Sequence, residues 1–361
     1  MSDTSALLNL AEFERAAAAA LPPMAFDYFA GGANDEVTLR GTRAAWDAIS
    51  IRYRVLRGID ERTTATEVLG AELAFPALVA PMAFQRLAHA DGETAVMRAA
   101  GAAGAGMVLS TLATTSLEDV RGASEAPLWF QLYIYKDRQA SKDVVQRAEA
   151  AGCSALVLTA DSPILGRRER DVRTGFHVPG EFPVPNLTGS ARHALATPPT
   201  SASSLQQFVA EHWDASLSWD DVAWLQSITE LPILVKGIVR GDDAKMALES
   251  GAAGVIVSNH GGRQLDTSIQ TARALAEVSQ ALDGEGTLLV DGGIRRGTDI
   301  VKAIAMGADA VLVGRPLLWG LALDGEAGAR RVLELLRDEF DLAMALAGAA
   351  SVDELTLDLL D

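Results

Sequence analysis

Eight short apolar runs recur between about residues 75 and 315, most of them ending on a polar or glycine residue. They are FPALVAP (75–81), GMVLS (106–110), LWFQLYI (128–134), ALVLTAD (155–161), PILVKG (232–237), GVIVSNH (254–260), TLLVDGG (287–293) and AVLVGR (310–315). Near-continuous Val/Ile/Leu runs are the pattern of parallel strands buried on both faces. The stretches between them, for example DGETAVMRAAGAAG, KDVVQRAEAAG, DDAKMALESGA and GTDIVKAIAMGA, carry apolar residues at helical spacing and often close on glycine, a helix-stop signal. Eight strand–helix units in series predict an α/β fold, a (β/α)8 TIM barrel. A doubly wound sheet is the alternative, but its glycine-rich fingerprint belongs after the first strand. Pro81, Met82, Ala83 and Phe84 stand there instead.

Three segments flank or interrupt this period. Residues 1–73 predict an N-terminal helical extension, with one helix at about 8–20, a second around 23–31, and a short mixed region. Residues 162–218 form a loop after the fourth strand, far longer than the usual 2–6 residues, and so predict a lid or a disordered segment. Its PGEFPVPNLTGS and TPPTSASS stretches are not expected to pack as regular elements. Residues from about 325 to 347 predict C-terminal capping helices. A prior of roughly 150 residues per domain would allow two domains. The eight βα units in series favour one barrel domain over 1–361.

Composition narrows the function. The net charge of −17 argues against nucleic acid as a partner, because phosphate-tracking proteins bind through Lys and Arg. Cys153 is the only cysteine, so neither an intrachain disulfide nor a cysteine-based zinc site is expected, and no metal is. The start, MSDTSALLNLAEFE, carries acids where a secretory signal carries bases. The longest apolar run, Ala16–Phe26, is broken by Pro22 and Pro23, and a membrane span needs roughly 20 apolar residues. A soluble, cytoplasmic protein with no membrane partner is the expectation.

Barrel active sites lie at the C-terminal strand ends. There the runs place Ser110, Gln131 and Tyr133, Thr159 and Asp161, Lys236, Ser258 and His260, Asp291, and Arg315. Alternate strand residues face one side, so Gln131/Tyr133, Thr159/Asp161 and Ser258/His260 are expected to point into the mouth as pairs. A single polar strand end is most simply a cap; nearly every strand ending on one is harder to explain so. His260, in SNHGGRQLD, suits a general base by its ordinary pKa, with Asp161 to hold its ring and Arg263 on the same loop. Lys236 ends an Ile/Leu/Val strand, as a Schiff-base lysine of an aldolase or as a cation beside an electron-rich ring. DGGIRRGTD (291–299) and GRP (314–316) follow the last two strands, where barrels often bind phosphate, with Arg295 and Arg315 to add charge-assisted bonds. GRRERDVR (166–173) is a basic island suited to an acidic small molecule. Of its arginines, Arg168 rather than Arg167 is expected to point inward.

Taken together, FDYFAGGA, FQLYIYKDR, LTADSPILGRRERD, VKGI, SNHGGRQLD, DGGIRRGTD and VGRP resemble the FMN-dependent L-2-hydroxy acid oxidase and dehydrogenase family, from about residue 8 to 350. The resemblance implies FMN at the barrel mouth. It also implies His260 as catalytic base paired with Asp161, and Arg263 and Arg168 on the substrate carboxylate. Tyr28 and Tyr133 would contact the substrate, and Lys236 would sit beside the flavin N1–C2 oxygen. Pro81, Met82, Ala83, Ser110, Gln131, Thr159 and Ser258 fall around the ring, and Asp291, Gly292, Gly293, Arg295, Gly314 and Arg315 around the ribityl phosphate. Leu112 stands where glycolate oxidases carry Trp, which implies a wider pocket. Ala83 stands where many dehydrogenases carry Gly, which leans toward an oxidase. The implied reaction turns an (S)-2-hydroxy acid into the 2-oxo acid while O2 becomes H2O2. The alternative acceptor is a quinone or protein carrier. The family's habit implies a homo-oligomer, a tetramer or octamer.

Overall fold

The computed structural model describes residues 4–180, 182–187 and 203–361. Three helices open it: α1 (Leu10–Ala20), α2 (Pro23–Ala30) and α3 (Val37–Asp47). The Asn9 side chain caps α1 by accepting the Glu12 N–H, while Glu12 accepts the Leu8 N–H at 2.8 Å. Pro22 and Pro23 end α1 and start α2, proline being tolerated in a first helical turn. The short mixed region before the first barrel strand contains α3 and an antiparallel hairpin, β1 (Thr66–Val68) and β2 (Ala71–Leu73). Helix α3 gave little warning. It starts from Glu36 in left-handed backbone (φ 58°), is capped not by that residue but by the distant Asp266, which accepts the Val37 and Thr38 N–H groups, and holds Val, Thr and Gly.

The eight apolar runs become β3 (Ala77–Val79), β4 (Gly106–Ser110), β5 (Leu128–Leu132), β6 (Leu156–Thr159), β7 (Ile233–Ile238), β8 (Gly254–Val257), β9 (Thr287–Asp291) and β10 (Ala310–Val313). All pair in parallel, and β10 returns to β3 to close the barrel. Inside it, Leu78, Val108, Trp129, Val157, Leu234, Ile256, Leu289 and Leu312 form one apolar cluster, which Val68 and Leu73 of the hairpin join. Around the barrel, α4 (Gly92–Ala103), α5 (Leu117–Ala123), α6 (Arg138–Ala150), α9 (Asp220–Gln226), α10 (Gly241–Glu249), α11 (Thr271–Leu282) and α12 (Gly297–Ala305) supply the outer layer. A second, larger core lies between that layer and the strands.

One flanking expectation needs correction. The segment after β6 is not a bare loop. It holds α7 (Glu169–Thr174) and α8 (Ser204–His212). Phe176, Val178, Val184 and Leu187 are buried, because a proline-rich stretch without regular structure can still bury apolar side chains. The Asn186 side chain anchors it by accepting the Leu117 N–H and donating to Thr115 O. Most of TPPTSASS lies outside the described residues. The C-terminal helical stretch, α13 (Arg315–Ala347), follows directly from β10, and its second arm is the capping helix expected at about 325–347. It breaks at Asp324 and Gly325, and Gly325 takes φ 55°.

Candidate active site

The strand ends open on one cavity with about 1050 Å³ of empty space, mouth included. Every site residue named from the sequence lines it except Asp161 and Ser258. Those two sit one layer behind, so the expected inward pairs hold for Gln131/Tyr133 and are split for Thr159/Asp161 and Ser258/His260. Both hidden partners act through the residue in front. Asp161 Oδ1 lies 2.8 Å from His260 Nδ1, and Ser162 Oγ lies within 3.1 Å of both. Ser258 Oγ accepts from Lys236 Nζ at 2.8 Å and from the His260 backbone N–H at 3.0 Å.

Local backbone explains the motif glycines. His260 has φ 57°, and Gly261 and Gly262 continue in the same left-handed region. This run turns the chain sharply at the end of β8, and a side chain tolerates it only where something holds it. At Gly237, in VKGI, an added Cβ would come 2.6 Å from Asp161 Cβ, so the glycine makes room for the carboxylate.

The charges are arranged in two groups. Burial pushes His260 below its ordinary value, the Asp161 charge pulls it back, and Lys236 and Arg168 push it down again; the net is downward. Burial pushes Asp161 up, but His260 and Lys236 outweigh it and hold the carboxylate ionised. The pair is therefore a neutral imidazole against a carboxylate at neutral pH. Its Nδ1–H faces Asp161, which leaves Nε2 as the basic nitrogen toward the cavity. Burial pushes Lys236 down, yet Asp291 (3.0 Å) and Asp161 more than reverse this. A firmly cationic lysine is a poor Schiff-base nucleophile, which removes the aldolase option. Cys153, buried just before β6, is pushed up to about 12 by burial and is no nucleophile either.

The second group stands on the C-terminal end of α2, where unpaired carbonyls and the helix dipole favour cations. Arg263 donates to Tyr28 O (2.6 Å) and Gly31 O (2.9 Å), with its guanidinium 4.9 Å from the Tyr28 ring centre. Arg315 donates to Phe29 O, Gly31 O and Gly261 O. Burial and the Arg168 charge push Arg263 down to about 10. Burial with Arg263 and Arg295 pushes Arg315 down to about 9. Both stay cationic at neutral pH. Arg168 is buried and Arg167 exposed, as the sequence suggested. Tyr28 and Tyr133 are raised by burial and so present neutral phenols.

Sequence reasoning missed several walls. Leu165, Leu205 and Trp213 come from the long segment after β6, and Phe29, Ile294 and Leu318 from flanking turns and helices. Trp213 stacks on Tyr133 with ring centres 3.8 Å apart, and Phe176 stacks on Tyr28 at 4.0 Å. No period links that segment to the barrel, so its aromatics carried no positional signal.

The cavity fits FMN. Gln131 Nε2 and Asp291 Oδ1 are buried polar atoms without a protein partner, in a cavity they line, and such atoms call for a polar ligand. Glycines at 292, 293 and 314 and the half-buried cations Arg295 and Arg315 line an end that suits a phosphate. Among the described residues no cluster could hold a metal ion, and no helix is long and apolar enough to cross a membrane.

Comparison with known proteins agrees with this geometry. The chain is 49% identical over 359 residues to an L-lactate oxidase of Nostoc sp., covering 98% of each. It is 48% identical over 350 residues to glycolate oxidase 3 of Arabidopsis thaliana, covering 97% of this chain and 95% of that one. A crystal structure of mandelate oxidase with (S)-4-hydroxymandelic acid superposes with a TM-score of 0.92 at 42% identity, covering 98% of each chain. The family profile of FMN-dependent dehydrogenases matches residues 17–361. The imidazole–carboxylate pair, the arginines and the glycine turn meet at one cavity, and the chain belongs to the FMN-dependent dehydrogenase family.

Proposed function

We propose that this protein is an (S)-2-hydroxy acid oxidase, which uses FMN and O2 to make the 2-oxo acid and H2O2. The observation that carries this is the His260–Asp161 pair sharing one cavity with Arg263 and Arg168. Two guanidiniums bind the substrate carboxylate, and bidentate geometry fixes its orientation. Tyr133 and Tyr28, as neutral phenols, donate to the substrate oxygens. His260 Nε2 takes the hydroxyl proton, and Asp161 stabilises the imidazolium that forms. FMN, when bound, supplies the two-electron acceptor that passes the electrons to O2. Lys236, cationic and held by Asp291 and Ser258, faces the side of the cavity where negative charge grows on reduction. Pro81, Met82, Ala83, Ser110, Gln131 and Thr159 would surround the ring, while Asp291, Gly292, Gly293, Arg295, Gly314 and Arg315 would line the ribityl-phosphate end. Ser258 serves through Lys236 rather than by touching the ring.

Leu112, Leu165, Leu205 and Trp213 form an apolar wall, which supports a substrate with an apolar side chain, from lactate to longer or aromatic analogues. We further read the chain as one domain acting in the cytoplasm as a homo-oligomer, a tetramer or octamer. Light scattering of the purified protein tests the assembly. The function is tested by adding a panel of L-2-hydroxy acids anaerobically to the yellow holoprotein, then admitting air. Bleaching, followed by fast reoxidation with one peroxide per turnover, is expected. A protein that takes up no flavin, or does not bleach, contradicts the reading. Bleaching followed by very slow reoxidation assigns the electrons to a quinone or protein carrier.

A further inference from the structure

The turn after β9 is gripped from outside the barrel. Gly292 and Gly293 line the cavity, with φ of 88° and 82°. Their carbonyls are drawn the other way, toward α3. The Trp46 indole N–H donates to Gly292 O at 2.8 Å, and Arg43 donates to Gly293 O at 3.0 Å. Thr271 adds a bond to Gly292 O at 3.3 Å. Arg43 is itself locked, because it pairs with both oxygens of the buried Asp299. Asp299 Oδ2 in turn accepts the backbone N–H groups of Arg295 and Arg296, each at 2.9 Å. One carboxylate thus ties α3 to the first turn of α12. The fit has no slack: a Cβ at Gly293 would lie 2.6 Å from Thr42 Cγ2 and 2.8 Å from Trp46 Cδ1.

In a trans peptide unit the C=O of one residue and the N–H of the next point in opposite directions. Gly292 C=O held outward therefore sends the Gly293 N–H inward. Gly293 C=O held outward does the same for Ile294. Gly293 and Ile294 both line the cavity beside Arg295 and Arg315.

We propose that Trp46 and Arg43 are positioning residues for the cofactor phosphate: by fixing two carbonyls outward they aim two backbone N–H groups at it. Neither side chain touches the phosphate. Preorganised N–H groups of this kind form an anion nest. The inference rests on the phosphate placement proposed above. It gives the N-terminal extension a part in cofactor affinity that packing alone would not.

The test compares FMN with riboflavin, which has the same ring and ribityl chain but no phosphate. Full-length apoprotein is titrated with each, following quenching of flavin fluorescence. Trp46→Phe keeps an aromatic ring and removes the N–H donor. Losing one positioning hydrogen bond should weaken FMN about five- to tenfold and leave riboflavin affinity unchanged. Arg43→Met, a second variant independent of indole packing, should do the same. Unchanged FMN affinity overturns the proposal. So does an equal loss for both flavins, the signature of a merely structural role. Equal wild-type affinity for FMN and riboflavin would fail the phosphate placement itself, an outcome distinct from either.

Discussion

At the scale of single residues, the reaction rests on one nitrogen being a free base. His260 keeps its ring oriented through Asp161 and its pKa below the ordinary value through burial. The active form is therefore neutral imidazole, and kcat/KM should rise with pH through that depressed pKa and stay level above it. Asp161→Asn removes the one nearby charge that pulls His260 upward. The acid limb should then move to lower pH while the plateau falls about 100-fold or more, as for a general base with a weakened partner. A limb that moves to higher pH would contradict the electrostatic assignment. His260→Ala should keep FMN bound and lose several orders of magnitude in the anaerobic bleaching rate; normal bleaching would remove His260 as the base. Pocket width makes a second residue-scale test. Leu112 is buried in the apolar wall. Leu112→Trp should fill that space and lower kcat/KM for an aromatic 2-hydroxy acid at least tenfold relative to glycolate. An unchanged ratio would locate the side chain elsewhere.

At the scale of elements, the site depends on how closely helices approach. Gly297 opens α12 against the last turns of α13, where an added Cβ would meet Phe340 N at 2.1 Å and Glu339 C at 2.2 Å. Both atoms are backbone and cannot step aside. Gly297→Ala should therefore cost roughly 1–3 kcal/mol, seen as a lowered denaturant midpoint with unchanged slope. Full stability would mean that α13 shifts freely. Such contacts also mark the limit of what the sequence told. The barrel was legible because each strand is an apolar run and nearly every run ends in chemistry. His260, Lys236, Gln131 and Thr159 were found by position alone. Helix α3 was not, because the residue before it does not cap it and Thr, Arg and Gly take up much of its length, although Trp46 and Arg43 hold the turn after β9. Trp213 and Leu205 were missed for another reason: they reach the cavity through a long segment whose path no periodicity encodes. The i, i+2 rule brought Asp161 and Ser258 to the right strand ends but not to the right layer. Strand ends turn away from the barrel axis, and left-handed backbone at His260 redirects the chain beyond β8.

At the scale of the whole molecule, the charge is divided in space. The chain carries a net −17, yet Arg168, Arg263, Arg295 and Arg315 are gathered with Lys236 around one cavity. Asp291 answers Lys236 and the α2 carbonyls answer Arg263 and Arg315, but burial depresses Arg263, Arg295 and Arg315 all the same. A depressed folded pKa on a base means that its charged form is disfavoured by folding, and the cost is full at every pH below the folded value. At neutral pH the apoprotein bears that cost, and an anion in the cavity relieves it. Ligand binding to the native state raises stability by RT ln(1 + [L]/Kd), about 2.7 kcal/mol at a hundredfold excess over Kd. FMN should therefore raise the Tm of the apoprotein by several degrees, riboflavin at the same concentration by much less, and millimolar inorganic phosphate by a small amount that vanishes once FMN saturates the site. The order FMN, then riboflavin or phosphate alone, is expected if the cavity arginines are the groups being neutralised. Equal shifts from FMN and riboflavin would show that ring burial alone stabilises the barrel. In that case the cationic cluster would have to find its counter-charge within the protein.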